Sequence, residues 1–193
     1  MGVPKISDSD TSTVKGRWRE TPAERELVKF PEALINITPK HPKWTERVKI
    51  EILNLAKYVQ FLQRKGGHSW FFLTPSKDPK YNFMKWEGYL QVATRPEIRF
   101  KIVILLPGNY PKSCPRAFIE ERVVEFAGKI YTKNVWEEPN GEKYLMICHD
   151  HMSEIDDIWD PRLTIAHFFI REVFYWWAAQ QNLIIEHYDK GKK

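Results

Sequence analysis

The sequence predicts an α+β domain: an antiparallel meander sheet of about four strands, flanked by an N-terminal helix and a long C-terminal helix. Three observations predict it. Residues 44–64 carry an apolar stripe at helical spacing; residues 70–106 fall into strand-length apolar pieces broken by Pro, Gly and Asp; and residues 163–181 run without Gly or Pro.

The elements follow in order. The polar run Ser7 to Thr13 sits in a segment with few aliphatic side chains, so residues 1–20 are expected as a flexible tail that buries too little surface to offset ordering entropy. At Thr21-Pro22-Ala23-Glu24 a capping hydroxyl, a proline at the first helical position and a glutamate three residues on predict a helix. It ends before Pro31, so 21–43 reads as N-terminal helix and linker. The helix Trp44 to Arg64 places Val48, Ile52, Leu55, Val59 and Leu62 on one stripe and stops at Gly66-Gly67. Lys49, Asn54, Lys57 and Gln63 are assigned to the opposite side, facing water or a partner.

Trp70 to Thr74 is the first strand, followed by a turn on Pro75, Asp78 and Pro79. Met84 to Val92 has the two-residue period of a half-buried strand, and Phe100 to Leu106 is apolar on both faces, as in a central strand. Ala117 to Ile119 and Ile130-Tyr131 supply further edges. Asp160-Pro161 is read as the opening of the closing helix, Leu163 to Gln181, in a domain spanning 44–187 with a basic tail at 188–193.

Bulk properties narrow the function classes. A chain of 193 residues is one domain with short extensions. Its apolar runs are far shorter than the roughly 20 residues of a membrane span, and the polar start lacks a secretory signal, so no membrane partner and a cytoplasmic location are expected. The two cysteines, Cys114 and Cys148, form no disulfide framework. Net charge is +5, but the basic residues are scattered rather than gathered into a stripe with stacking aromatics, which argues against nucleic acid.

Two stretches carry chemistry. Leu106 to Pro115 leaves the central strand with prolines at 107, 111 and 115 around Tyr110-Pro111; fixed φ angles and missing N–H groups make it a stiff connection. Cys148 lies where the apolar run Tyr144 to Ile147 gives way to His149, Asp150 and His151, a placement that suits either a small buried hydrophobe or an exposed thiol. Cationic histidines would raise its thiolate fraction and Asp150 would lower it, so the sign of its pKa shift stays open.

Taken together and in order, Tyr110-Pro111…Pro115 after a central strand, Ile147-Cys148 before Asp150, and Trp159-Asp160-Pro161-Arg162-Leu163-Thr164-Ile165 resemble a ubiquitin-conjugating enzyme over about residues 45–183. Within that superfamily the chain is most similar to the conjugating enzymes of the ubiquitin-fold modifier pathway. The features are the extra helix expected near Thr21 to Lys29, Lys57-Tyr58-Val59, Trp70-Phe71 and Cys148…Asp150-His151. The superfamily's His-Pro-Asn element is not intact here, nor is it in that branch.

The resemblance implies a ubiquitin-conjugating fold and two acyl transfers. Cys148 takes a ubiquitin-like modifier from an activating enzyme as a thioester, then passes it to a lysine directly or through a ligase. Two residues are candidates for the missing oxyanion asparagine. Asn134 has family-like flanking residues but stands fourteen positions before the cysteine; Asn140 has the family spacing of eight but is followed by Gly141, a turn signal. Asp150 is a candidate for orienting or deprotonating the lysine. Tyr110, Pro111, Pro161 and Arg162 are candidates for ligase docking, and the polar face of the stripe helix with the N-terminal helix for the activating enzyme. No cofactor is required, and a monomer is expected. Two rival readings remain: an inactive variant of the same fold, and a metal site on His149, Asp150 and His151, with or without Cys148, whose spacing is poor and which has no second ligand cluster.

Overall fold

The computed structural model describes residues 20–127, 134–147 and 159–191. Six strands form one antiparallel sheet in the order β1-β2-β3-β4-β6-β5. They are β1 (Phe71–Pro75), β2 (Lys85–Val92), β3 (Arg95–Leu105), β4 (Arg116–Glu120), β5 (Val135–Glu137) and β6 (Lys143–Met146). The first four give the meander expected from sequence; β5 and β6 add a hairpin, making six strands rather than about four. Ile130-Tyr131 lies outside the described residues.

Helix α1 (Trp44–Arg64) has the bounds its periodicity predicts. Its buried face is rotated, however. Trp44, Arg47, Val48, Glu51, Asn54, Leu55 and Tyr58 face the core, whereas Ile52 is 45% exposed. Asn54 therefore does not face solvent: its side chain bonds Val28 N–H and C=O, at 2.9 and 2.7 Å, and Thr164 Oγ1. A polar side chain can be buried when each group finds a partner, and these partners come from remote parts of the chain.

The N-terminal segment forms less helix than predicted. Thr21 and Glu24 make the reciprocal capping bonds, but only the 3-10 turn Glu24–Glu26 follows, because Leu27 turns to extended backbone. Residues 21–43 still belong to the core through Ala23, Leu27, Phe30 and Ile37. The short helix α2 (Val124–Ala127) follows β4.

The closing helix starts later than Asp160-Pro161 suggests. Thr164 caps α3 (Ile165–Phe168), with its hydroxyl and N–H against His167 Nδ1; Asp160 Oδ1 instead accepts from Arg162 N–H in a local turn. A π turn, Phe169–Val173, leads into α4 (Phe174–Lys190), which runs through the first half of the expected tail. None of the described helices is long and apolar enough to cross a membrane.

Beneath the sheet, Trp86, Leu90, Ile102, Ile104 and Ile119 pack with Phe169, Val173 and Trp177 in the main core. The opposite face carries a second cluster of Val103, Phe118, Tyr144 and Met146, joined by Leu105 and Trp136. This accounts for β3 being apolar on both sides. Gly88 in β2 leaves room for the neighbouring strand: a Cβ there would lie 1.8 Å from the Phe72 carbonyl oxygen.

Candidate functional site

The site builds around one end of the sheet. Strand β6 pairs with β4, and the ladder extends one residue further through an Ile147 N–H bond to Ala117 C=O at 2.8 Å. Cys148 is the next residue; it and Asp150, with His149 and His151, lie outside the described residues. On the far side of these residues Trp159 is placed by its indole N–H, which donates to Pro111 C=O at 2.8 Å. Both flanks of residues 148–158 are thus anchored on the proline loop and the start of β4.

The two candidate asparagines occupy opposite ends of the β5–β6 hairpin. Asn134 C=O accepts from Met146 N–H at 2.9 Å, continuing the register Val135↔Leu145 toward Ile147. Its side chain is exposed, with Nδ2 at 3.9 Å from Met146 Sδ. Asn140 sits in the turn, where its Oδ1 accepts from Glu142 N–H at 3.0 Å and Gly141 takes a φ of +84°. The Asn-Gly pair thus serves as a turn, remote from the end of β6 that leads to Cys148.

The proline loop is held from below. Tyr110 is fully buried between α1 and the loop; its hydroxyl donates to Glu51 Oε1 at 2.5 Å, and the Tyr110–Pro111 peptide is cis. Glu51 Oε2 accepts from Ile165 N–H at 2.8 Å, so one carboxylate ties α1, the loop and the start of α3. Arg47 Nε lies 3.7 Å from Glu51, and its terminal nitrogens donate to Leu34, Pro161 and Leu163 C=O. The guanidinium also stacks over the Phe30 ring at 3.6 Å. Burial pushes the Glu51 carboxyl up to about 7 against the opposing pull of Arg47, Tyr110 and Ile165 N–H.

Of the residues expected at a ligase-docking surface, Tyr110 and Pro111 are both buried and hold the loop's shape; Gly108, Asn109 and Lys112 are its exposed members. Pro161 is half-buried and Arg162 exposed, the latter gripping Asp160 through Nε and Nη2. Cys114, also on the loop, is fully buried. Sequence reading missed Arg47, Glu51 and Trp159 as organisers of this end. Only Trp159 had a signal, its place in the Trp-Asp-Pro stretch.

Elsewhere, an apolar groove of about 690 Å³ runs between α1 and the β1–β2 edge, lined by Ile52, Val59, Phe72 and Tyr89 among others.

A family model described as Ubiquitin-fold modifier-conjugating enzyme 1 matches residues 23–188, which takes in the N-terminal turns, α1, the whole sheet, the proline loop and almost all of α4. A search of curated proteins finds no match. An α+β fold of this topology with a family match over most of its length settles the assignment: the chain belongs to the ubiquitin-fold modifier-conjugating enzymes, transferases that accept a ubiquitin-like modifier from an activating enzyme.

Proposed function

We propose that Cys148 is the acyl carrier and Asn134 the oxyanion donor. The Cys148 thiolate attacks the thioester that joins the modifier's terminal glycine to the activating enzyme; a C–S bond forms, the old C–S bond breaks and the activating enzyme's thiolate leaves. In discharge, a neutral lysine amine attacks the new thioester carbonyl. The amide bond forms, the Cys148 thiolate departs and the amine's extra proton passes to a base. A lysine is almost wholly protonated at neutral pH, with an ordinary pKa near 10.4, so Asp150 is the proposed group that orients it or takes its proton.

The observation that carries this reading is the shared anchoring at the sheet's end. Asn134 is bonded to Met146, two residues before Cys148, while Trp159 ties the far flank to Pro111. A side-chain amide aimed at the developing oxyanion contributes about 3–4 kcal/mol to such a step. We assign ligase docking to the exposed rim of the same end, with Pro161, Arg162 and the exposed part of the proline loop. The activating enzyme is assigned to the exposed side of α1. The enzyme works as a cytoplasmic monomer without a cofactor in this reading. The test is charging with activating enzyme, modifier and ATP, followed by discharge onto free lysine: Asn134→Ala should charge but discharge slowly, and normal discharge would remove Asn134 from the mechanism.

A further inference from the structure

Lys85, the first residue of β2, has a side chain only 4% exposed. Its ammonium bonds Glu138 Oε1, lies 2.6 Å from Glu87 Oε1 and sits over two rings, Tyr81 at 4.8 Å and Trp136 at 5.1 Å. Three strands separate β2 from β5 in the sheet order, so these contacts exist only because the β5–β6 hairpin curls back over the outer face. Trp136 makes the same excursion, packing on Phe118 at 6.2 Å and Tyr144 at 5.5 Å.

The hairpin needs such an anchor. Its outer strand is three residues long, lies at the sheet edge with β6 as its one neighbour in the sheet order, and has Val135 58% exposed. At about 3.3 Å per residue, Trp136 and Glu138 lie within roughly 15 Å of Asn134 along the strand. A cation held by two carboxylates and two rings is a directional fastening, unlike the apolar cluster beside it. Burial acts to lower the Lys85 pKa, and Glu138 and Glu87 outweigh it, which keeps the ammonium charged.

We infer that Lys85 is a positioning residue for thioester discharge: by latching Glu138 and Trp136 to β2 it fixes the strand that presents Asn134. This rests on the functional reading above. A donor that must sit within about 0.5 Å of its place loses much of its effect when its strand splays, while thiol exchange, nearly isoenergetic and driven by a strong nucleophile, is less demanding.

The test uses the full chain charged with the ubiquitin-fold modifier, with discharge onto free lysine measured beside charging rate and unfolding midpoint. Lys85→Met, which keeps the aliphatic stem, should slow discharge about tenfold while charging falls by no more than about threefold, and Lys85→Arg should restore discharge to within about threefold of wild type. Discharge at the wild-type rate in Lys85→Met, equal loss of both steps in proportion to a lowered midpoint, or failure of Lys85→Arg to restore discharge would each overturn the inference. Asn134→Ala run in parallel separates the two claims. If it discharges normally, the functional reading fails; if it is slow while Lys85→Met is normal, only the latch fails.

Discussion

Tyr110 Oη and Glu51 Oε1 lie 2.5 Å apart, joining the stiff proline loop to the buried face of α1. The other Glu51 oxygen receives Ile165 N–H, and Arg47 stands beside the pair. The loop's shape therefore depends on a carboxylate more than fifty residues upstream, not on its prolines alone.

That carboxylate should shape the acid dependence of stability. Its folded pKa of about 7 lies above the ordinary 4.5, so the folded protein binds the proton more tightly than the unfolded chain between those values. Glu51's contribution is most favourable below pH 4.5 and falls as pH rises to 7, by on the order of 2–3 kcal/mol. Buried His167, held down to about 4, acts in the opposite sense, so the comparison must be wild type against Glu51→Gln. Urea unfolding at several pH values should show a flatter fall in the variant; identical slopes would contradict the assignment.

Removing Arg47 leaves Glu51 buried without its cation and three carbonyls without their donors. Arg47→Ala should cost about 3–5 kcal/mol in chemical unfolding. Arg47→Lys should recover only part, because one ammonium cannot reproduce the guanidinium's spread of donors.

Gly88→Ala should open the β1–β2 edge. The added carbon meets the Phe72 backbone, which cannot yield without breaking the register Leu73↔Gly88. A loss of at least about 3 kcal/mol is expected, with hydrogen exchange accelerated in β1.

These cases show what the sequence could and could not disclose. The bounds of α1 and the burial of Trp86, Leu90 and Val92 followed from periodicity, because apolar spacing reports local geometry directly. The true face of α1 did not follow, since Arg47, Glu51 and Asn54 are made tolerable by partners as far away as Leu163, Thr164 and Ile165. Asp160-Pro161 imitates a helix start that Thr164 supplies, and the π turn at Phe169–Val173 has no sequence signature here. At the site, the resemblance supplied the order of the motifs. The proposed preference for Asn134 over Asn140 draws on the hairpin register, because spacing along a chain does not say which end of a hairpin faces a given residue.

That register yields a direct contrast. Asn134→Ala should slow discharge onto free lysine on the order of 10²-fold, whereas Asn140→Ala, which loses only a turn bond to Glu142, should leave discharge within about twofold. The reverse pattern would transfer the role to Asn140.

Cys114 should be silent in the chemistry. It is fully buried on the proline loop, so Cys114→Ala should still charge, and in the native protein the residue should resist alkylation by a water-soluble thiol reagent. Rapid labelling at Cys114 without unfolding would contradict its burial.

The central claim is tested by mass spectrometry of the full chain after incubation with activating enzyme, ubiquitin-fold modifier and ATP. Wild type should carry one modifier, attached at Cys148 and released by excess thiol, and Cys148→Ala should carry none. A thiol-labile adduct that persists in Cys148→Ala, or a wild-type protein that never charges, would contradict the account.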